Sequence, residues 1–213
     1  MSDKIIELFD SLSFNHNCNI GYLKPKISEI EEIAEIANKK KCNLHIIDND
    51  ISVIHKSNLI GIESINLNIN NINSIKSDFF DYIFVDNFSI HSIENLQDFL
   101  LYATTISETV AILGHNFGYY KHRCNYLINS SIKYNLIPFE CDQYSDKLIK
   151  FDIKDFIKLC NLNGIVVDRI WIEKKEKIYD YYNSLFANLF ASNFIAIVVK
   201  NNNILSDMAI NGS

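Results

Sequence analysis

Glycine and proline are scarce in this chain, with 6 and 2 in 213 residues, so tight turns and close backbone approaches to a ligand have few residues to serve them. The five cysteines, Cys18, Cys42, Cys124, Cys141 and Cys160, are odd in number and never spaced as CxxC. That pattern suggests neither a disulfide framework nor a cysteine zinc site, and the cysteines read as reduced cytosolic thiols. No HExxH or HxxxH spacing argues for a metal. No GxSxG elbow exists, and Ser89, Ser107, Ser130 and Ser131 stand in no nucleophile motif. Basic residues are outnumbered, 20 Lys and Arg against 26 Asp and Glu for a net charge of −6, which argues against nucleic acid as a partner. The longest apolar run, Phe194 to Val199, is too short to span a bilayer, and the first residues show no basic n-region followed by an apolar run and a small-residue cleavage site, so no signal peptide is expected. A soluble cytoplasmic protein is expected.

What is present is an apolar fraction of 48% with 12% aromatics, enough to bury one continuous core, so residues 1–213 are expected to form a single domain. Ile5, Ile6, Leu8, Phe9 and Leu12 have helical spacing and predict an N-terminal helix within residues 1–14. The spacing of Ile30, Ile33, Ile36 and Ala37 predicts a helix over 28–40, with Ser28 as N-cap and Glu31 at the capping-box position. Strands are predicted at 44–47, 61–67, 80–85, 109–113, 165–172 and 194–199, and helices at 92–103 and 152–162. The second of these opens on Asp152 and closes before Gly164. Residues 119–150 show no period and form an excursion with one short helix near 124–131. Strands alternating with helices, then two late strands, imply a mainly parallel sheet with helices on both faces and an antiparallel edge.

In a parallel α/β chain that binds a nucleotide, the first strand ends in a glycine-rich turn whose backbone N–H groups reach the ligand. The first predicted strand here ends in Cys18, Asn19, Ile20, Gly21, Tyr22, Leu23, Lys24, Pro25 and Lys26. Tyr22 and Leu23 fill the space that glycines would leave, and Pro25 removes a donor.

The order of elements is similar to the class I methyltransferase fold, a Rossmann-like, mainly parallel seven-stranded sheet. Three stretches sharpen the resemblance to the MetW family: residues 80–100, FDYIFVDNFSIHSIENLQDFL; residues 110–123, VAILGHNFGYYKHR, with an Asn-Phe-Gly loop followed by aromatic and basic residues; and residues 137–160, with a Pro-aromatic-Glu motif leading into an Asp-Phe helix. The resemblance covers about residues 15–200 and implies S-adenosylmethionine as cofactor, methionine biosynthesis as context and a homoserine O-acyltransferase as protein partner. It implies cofactor contacts for Asn19 and Gly21 as remnants of the loop, Asp48 on the ribose hydroxyls and Asn68 facing the adenine amino group.

The residues themselves leave two readings open at each position. Asp48 is a ribose ligand or a polar turn in an Asp-Asn-Asp run. Asp86 and Asn87 are ligand-rim residues or turn formers. His115, Asn116, Phe117, Gly118 and Tyr119 bring a base, an amide and aromatics to one strand end, or form a structural loop. His115, Asn116 and Tyr119 are the catalytic candidates. Cys124, after Lys121, His122 and Arg123, is a thiol activated by its cationic setting or one that simply packs under a helix. The aromatic run Tyr179, Tyr181, Tyr182, Phe186 and Phe190 is core at helical spacing or a surface for a protein partner or a second copy. The preferred reading is a non-catalytic accessory subunit with weak or lost S-adenosylmethionine binding, and the alternative is an active methyltransferase acting on a small molecule.

Overall fold

The computed structural model describes residues 17–86, 93–116, 152–174, 177–181 and 191–200, with Ile6, Phe9, Phe14, Tyr119, Cys124 and Leu189 besides. Strands β1 (Asn19–Leu23), β2 (Asn43–Asp48), β3 (Glu63–Asn66), β4 (Phe80–Val85), β5 (Ser107–His115), β6 (Ile165–Lys174), β7 (Lys177–Asp180) and β8 (Asn193–Lys200) form one sheet. Their order is β3-β2-β1-β4-β5-β8-β6-β7. From β3 to β5 all neighbours are parallel. The last strand, β8, runs antiparallel between β5 and β6. The expected α/β, Rossmann-like and mainly parallel architecture is therefore present, with short β7 added as a hairpin on β6.

Among the described residues, four helices lie along the sheet: α1 (Ile30–Lys40), α2 (Ile51–Leu59), α3 (Leu96–Ile106) and α4 (Ile153–Leu162). Alternation along β1 divides the core, as period-two side chains must. Ile20 and Tyr22 join Ile30 and Ile33 of α1, Val53 of α2, Phe84 and Ile195 on one face. On the other, Leu23 joins Ile83, Val85, Phe99 and Leu100 of α3, Phe156 of α4 and Phe194. Each such side chain taken out of water contributes about 1.5–3 kcal/mol, so the two faces hold the sheet from both sides. Ile6 and Phe9 are helical and buried on the α1 face, consistent with the N-terminal helix; the rest of that prediction lies outside the described residues.

Local chemistry set several boundaries differently from the sequence reading. Ser28 does not cap α1. The chain turns through Lys26 to Glu29, whose N–H donates to the Lys26 carbonyl at 2.9 Å, so the helix starts at Ile30 with Glu29 before it and no side-chain cap. Helix α2, absent from the sequence reading, starts on Asp50, which accepts the Ser52 N–H. Gly61, at φ 78°, is the turn after α2 rather than the start of β3. By contrast α4 begins as expected, with Asp152 accepting the Asp155 N–H at 2.9 Å, and ends before Gly164 at φ 68°. The aromatic run opens in strand β7 rather than in a helix, and Tyr181 packs on the α3 and α4 core. Tyr182, Phe186 and Phe190, and the excursion 119–150 apart from Tyr119 and Cys124, lie outside the described residues. No helix among the described residues is long and apolar enough to cross a membrane.

Candidate functional site

Five parallel strands end on one rim, the edge where open α/β sheets bind ligands. Pairing of Leu23 with Ile47 and Val85, and of Val85 with Ile112, sets Lys24, Asp48 and Asp86 abreast at this edge, one residue on. Asp48 itself pairs with Asn66 of β3, and β5 delivers His115 and Asn116 further along.

Asp48 ends β2 and is 3% exposed. Its Oδ1 accepts the N–H groups of Asn49 and Asp50 at 2.7 and 3.0 Å, so one oxygen holds the turn into α2. Asn68 is exposed and caps the 3-10 helix Ile69–Ser74 by accepting the Asn70 N–H at 3.0 Å. Asp86 is buried just after β4; Asn87 lies outside the described residues.

Two of the sequence candidates sit elsewhere. Asn19 is at the opposite edge, at the start of β1, where its N–H donates to Asp81 Oδ2 at 2.6 Å and its side-chain amide donates to the Phe79 carbonyl at 3.3 Å. Gly21 lies inside β1, paired with His45 and Ile83, and the space a Cβ would take is lined by Phe80 at 3.2 Å and Ile47 at 3.3 Å. Its missing side chain serves core packing at mid-strand, away from the rim. The β1–α1 turn begins later, at Lys24.

That turn is built without glycine. Lys24 takes a left-handed backbone at φ 46°, and its N–H is spent on the Ile47 carbonyl at 2.9 Å. Pro25 is buried and has no N–H. Beneath the turn Tyr22 is 1% exposed, and its hydroxyl donates to Glu29 Oε2 at 3.2 Å. Glu29 is 3% exposed, with Lys26 Nζ 3.5 Å from its other oxygen. Burial, then the charges of Asp86 and Glu29, push the Tyr22 phenol well above the usual tyrosine range. It stays a neutral donor to a buried carboxylate. Sequence reasoning missed Glu29; the signal was an acidic residue directly before an apolar helix face, with an inward-facing Tyr seven positions earlier.

At the other end of the rim, His115 Nδ1 lies 2.7 Å from Asn193 Oδ1. The Asn193 amide nitrogen donates to Ser192 Oγ at 3.3 Å, which orients the oxygen toward His115. The imidazole proton is thus assigned to Nδ1 and the lone pair to Nε2, the arrangement a general base needs. Asn116 is fully buried. Its side-chain amide donates to the Ala191 carbonyl at 2.8 Å, and its N–H donates to the Ser192 carbonyl at 3.0 Å. These bonds tie the end of β5 to the start of β8, the structural alternative for this residue. Tyr119 follows, half-buried, its N–H on the Asn116 carbonyl at 3.1 Å. Phe117 and Gly118 lie outside the described residues, and no metal-ligating cluster occurs among the described ones.

The rim's two halves therefore differ in chemistry. Asp48 and Asp86 are carboxylates suited to hydroxyl donors, whereas the β1–α1 turn commits the Lys24 N–H to the Ile47 carbonyl and follows it with Pro25, which has no N–H.

The fold matches solved structures along nearly its whole length. One is a chain of the complex between the Haloferax volcanii Trm112 methyltransferase activator and a candidate methyltransferase, at TM-score 0.63 and 8% identity, covering 94% of this chain and 89% of that one. A S-adenosylmethionine-dependent methyltransferase from Archaeoglobus fulgidus matches at TM-score 0.59 and 14% identity, covering 94% and 95%. Another from Mesorhizobium loti matches at 0.61 and 7%, covering 94% and 98%. At such identities the likeness establishes the fold alone. No curated protein matches the sequence. The model of one family, described as methionine biosynthesis protein MetW, matches residues 29–198. With a methyltransferase-type sheet and a family match over most of its length, the chain belongs to the MetW family.

Proposed function

We propose that this protein is an accessory subunit of methionine biosynthesis that acts through a protein partner, on a methyltransferase fold whose cofactor loop has been replaced by packing. The observation that carries this reading is the β1–α1 turn, where Lys24, Pro25 and the buried Tyr22–Glu29 hydrogen bond stand in place of glycines and free N–H groups. The family name supplies the pathway, and the family resemblance supplies the partner, a homoserine O-acyltransferase. A chain of the same fold crystallised with an activator protein supports partner binding as a use of this scaffold.

A second reading, an active S-adenosylmethionine-dependent methyltransferase acting on a small molecule, is favoured by buried Asp48 and Asp86 on the rim. There Asp48 would hold the ribose hydroxyls, and S-adenosylmethionine would supply an electrophilic methyl group. The chain's own part would be positioning, with His115 as the candidate general base. Replacing Asp48 by Ala separates the readings. The accessory reading expects the partner to be retained in a pull-down, and the methyltransferase reading expects loss of nucleoside binding. Loss of the partner from a folded Asp48→Ala variant would contradict the accessory reading.

A further inference from the structure

Away from the rim, two thiols meet. Cys18 directly precedes β1 and Cys42 directly precedes β2, whose pairing begins at Asn19 with Asn43. The cysteines thus hold the preceding register position, and the Asn43 N–H donates to the Cys18 carbonyl at 2.8 Å. Adjacent strands lie about 4.8 Å apart, within the roughly 4.4–6.8 Å between Cα atoms that a disulfide spans. Both side chains are buried on the α1 face. The Cys18 thiol donates to Cys42 Sγ at 2.9 Å, and Cys42 Sγ donates to the Lys40 carbonyl at 3.6 Å. The backbone on both sides is fixed: Asn17 and Lys41 take left-handed conformations at φ 63° and 58°, and the Asn17 N–H donates to the Lys41 carbonyl at 2.9 Å.

The geometry points to a reversible disulfide between Cys18 and Cys42, a modification site that closes β1, the β1–α1 turn and α1 into one covalent loop. With a peroxide as oxidant, one sulfur takes an oxygen as sulfenic acid and one water leaves. The second thiol then attacks that sulfur, the S–O bond breaks, the S–S bond forms and a second water leaves. With a small-molecule disulfide, exchange through a mixed disulfide releases two thiols as the protein pair is oxidised. Burial and the neighbouring Cys42 push the Cys18 thiol up to about 12, so the reaction quickens as pH rises. Cys160 is buried in the opposite core and Cys124 is exposed; neither shares this register.

The test treats the full chain with hydrogen peroxide or oxidised glutathione, alkylates the remaining thiols, digests and maps the peptides. The expected result is a Cys18 peptide joined to a Cys42 peptide, released by dithiothreitol, with the intact chain lighter by two hydrogens. The oxidised chain should melt several degrees higher than the reduced one. In a Cys42→Ser variant the melting shift should vanish, and with oxidised glutathione Cys18 should appear instead as a glutathione adduct. Full alkylation of both cysteines in the treated wild-type chain, or a bond from Cys18 to another cysteine or another copy, would overturn the proposal; the mapping needs no variant to fold.

Discussion

Replacing Tyr22 by Phe removes one oxygen and nothing else, and the structure says what that oxygen does. It donates at 3.2 Å to the carboxylate of Glu29, which is buried beneath the β1–α1 turn. The remaining neighbour, Lys26 Nζ at 3.5 Å, has a side chain 46% exposed, so solvent screens much of its attraction. Glu29 would then keep a buried negative charge with no hydrogen-bonded partner on Oε1 and none on Oε2. A hydrogen bond to a charged group contributes about 1.5–3 kcal/mol, and for a chain of this size each kcal/mol moves the melting temperature by about 2–4 °C. Tyr22→Phe is therefore expected to melt about 3–12 °C lower at pH 7. Because the ring and its packing stay, cavity formation does not contribute. The assay is a double-mutant cycle by urea denaturation with Glu29→Gln as the second change. A coupling of about 1 kcal/mol or more is expected, since the two groups are in contact. Equal stability of Tyr22→Phe and wild type, with no coupling, would refute the view that this pair holds the turn in its present shape.

Three further outcomes follow from the same structure. Tyr22 is held neutral well above its usual range, so above pH 10.0, the ordinary tyrosine value, the unfolded chain loses its proton first and stability falls as pH rises; Tyr22→Phe should flatten that limb of a stability–pH curve. His45 is 6% exposed, and burial holds it below its ordinary 6.5 despite Glu63 nearby; stability present above that pH should be lost as pH falls through the lowered value, and a His45→Gln variant that loses stability just as steeply would contradict this. Gly114→Ala would set a Cβ 2.8 Å from the Phe194 ring, which is 1% exposed and packed on Phe156; a loss of about 1–3 kcal/mol in urea is expected, and an unchanged midpoint would show that Phe194 can move.

The sheet was legible because its strands are short apolar runs bounded by polar turns, as in Phe80–Val85 followed by Asp86. Helix α4 was legible because Asp152 and Gly164 mark both of its ends. Helix α2 was not, because it buries only Val53 and Ser57 and leaves Ile51 and Leu59 exposed, so its apolar residues follow no single face. At the site, the scarcity of glycine drew attention to the β1–α1 segment, which the fold builds without glycine. The register was misread, since Gly21 resembles a loop glycine in sequence yet lies in the middle of a strand under Phe80. Asn116 has a side chain suited to catalysis, and only the fold reveals that its amide is committed to the Ala191 carbonyl. Glu29 was missed for the complementary reason: its signal counts only once Tyr22, in another element, is known to point inward beneath it.

The proposed accessory role requires that the β1–α1 turn does not hold a sulfonium nucleoside. Calorimetric titration of the folded protein with S-adenosylmethionine, and separately with S-adenosylhomocysteine, tests it most directly. The account predicts no binding heat for either ligand at concentrations well above the micromolar range. Micromolar binding of S-adenosylmethionine, abolished in a folded Asp48→Ala variant, would contradict it and make the rim a working methyltransferase site.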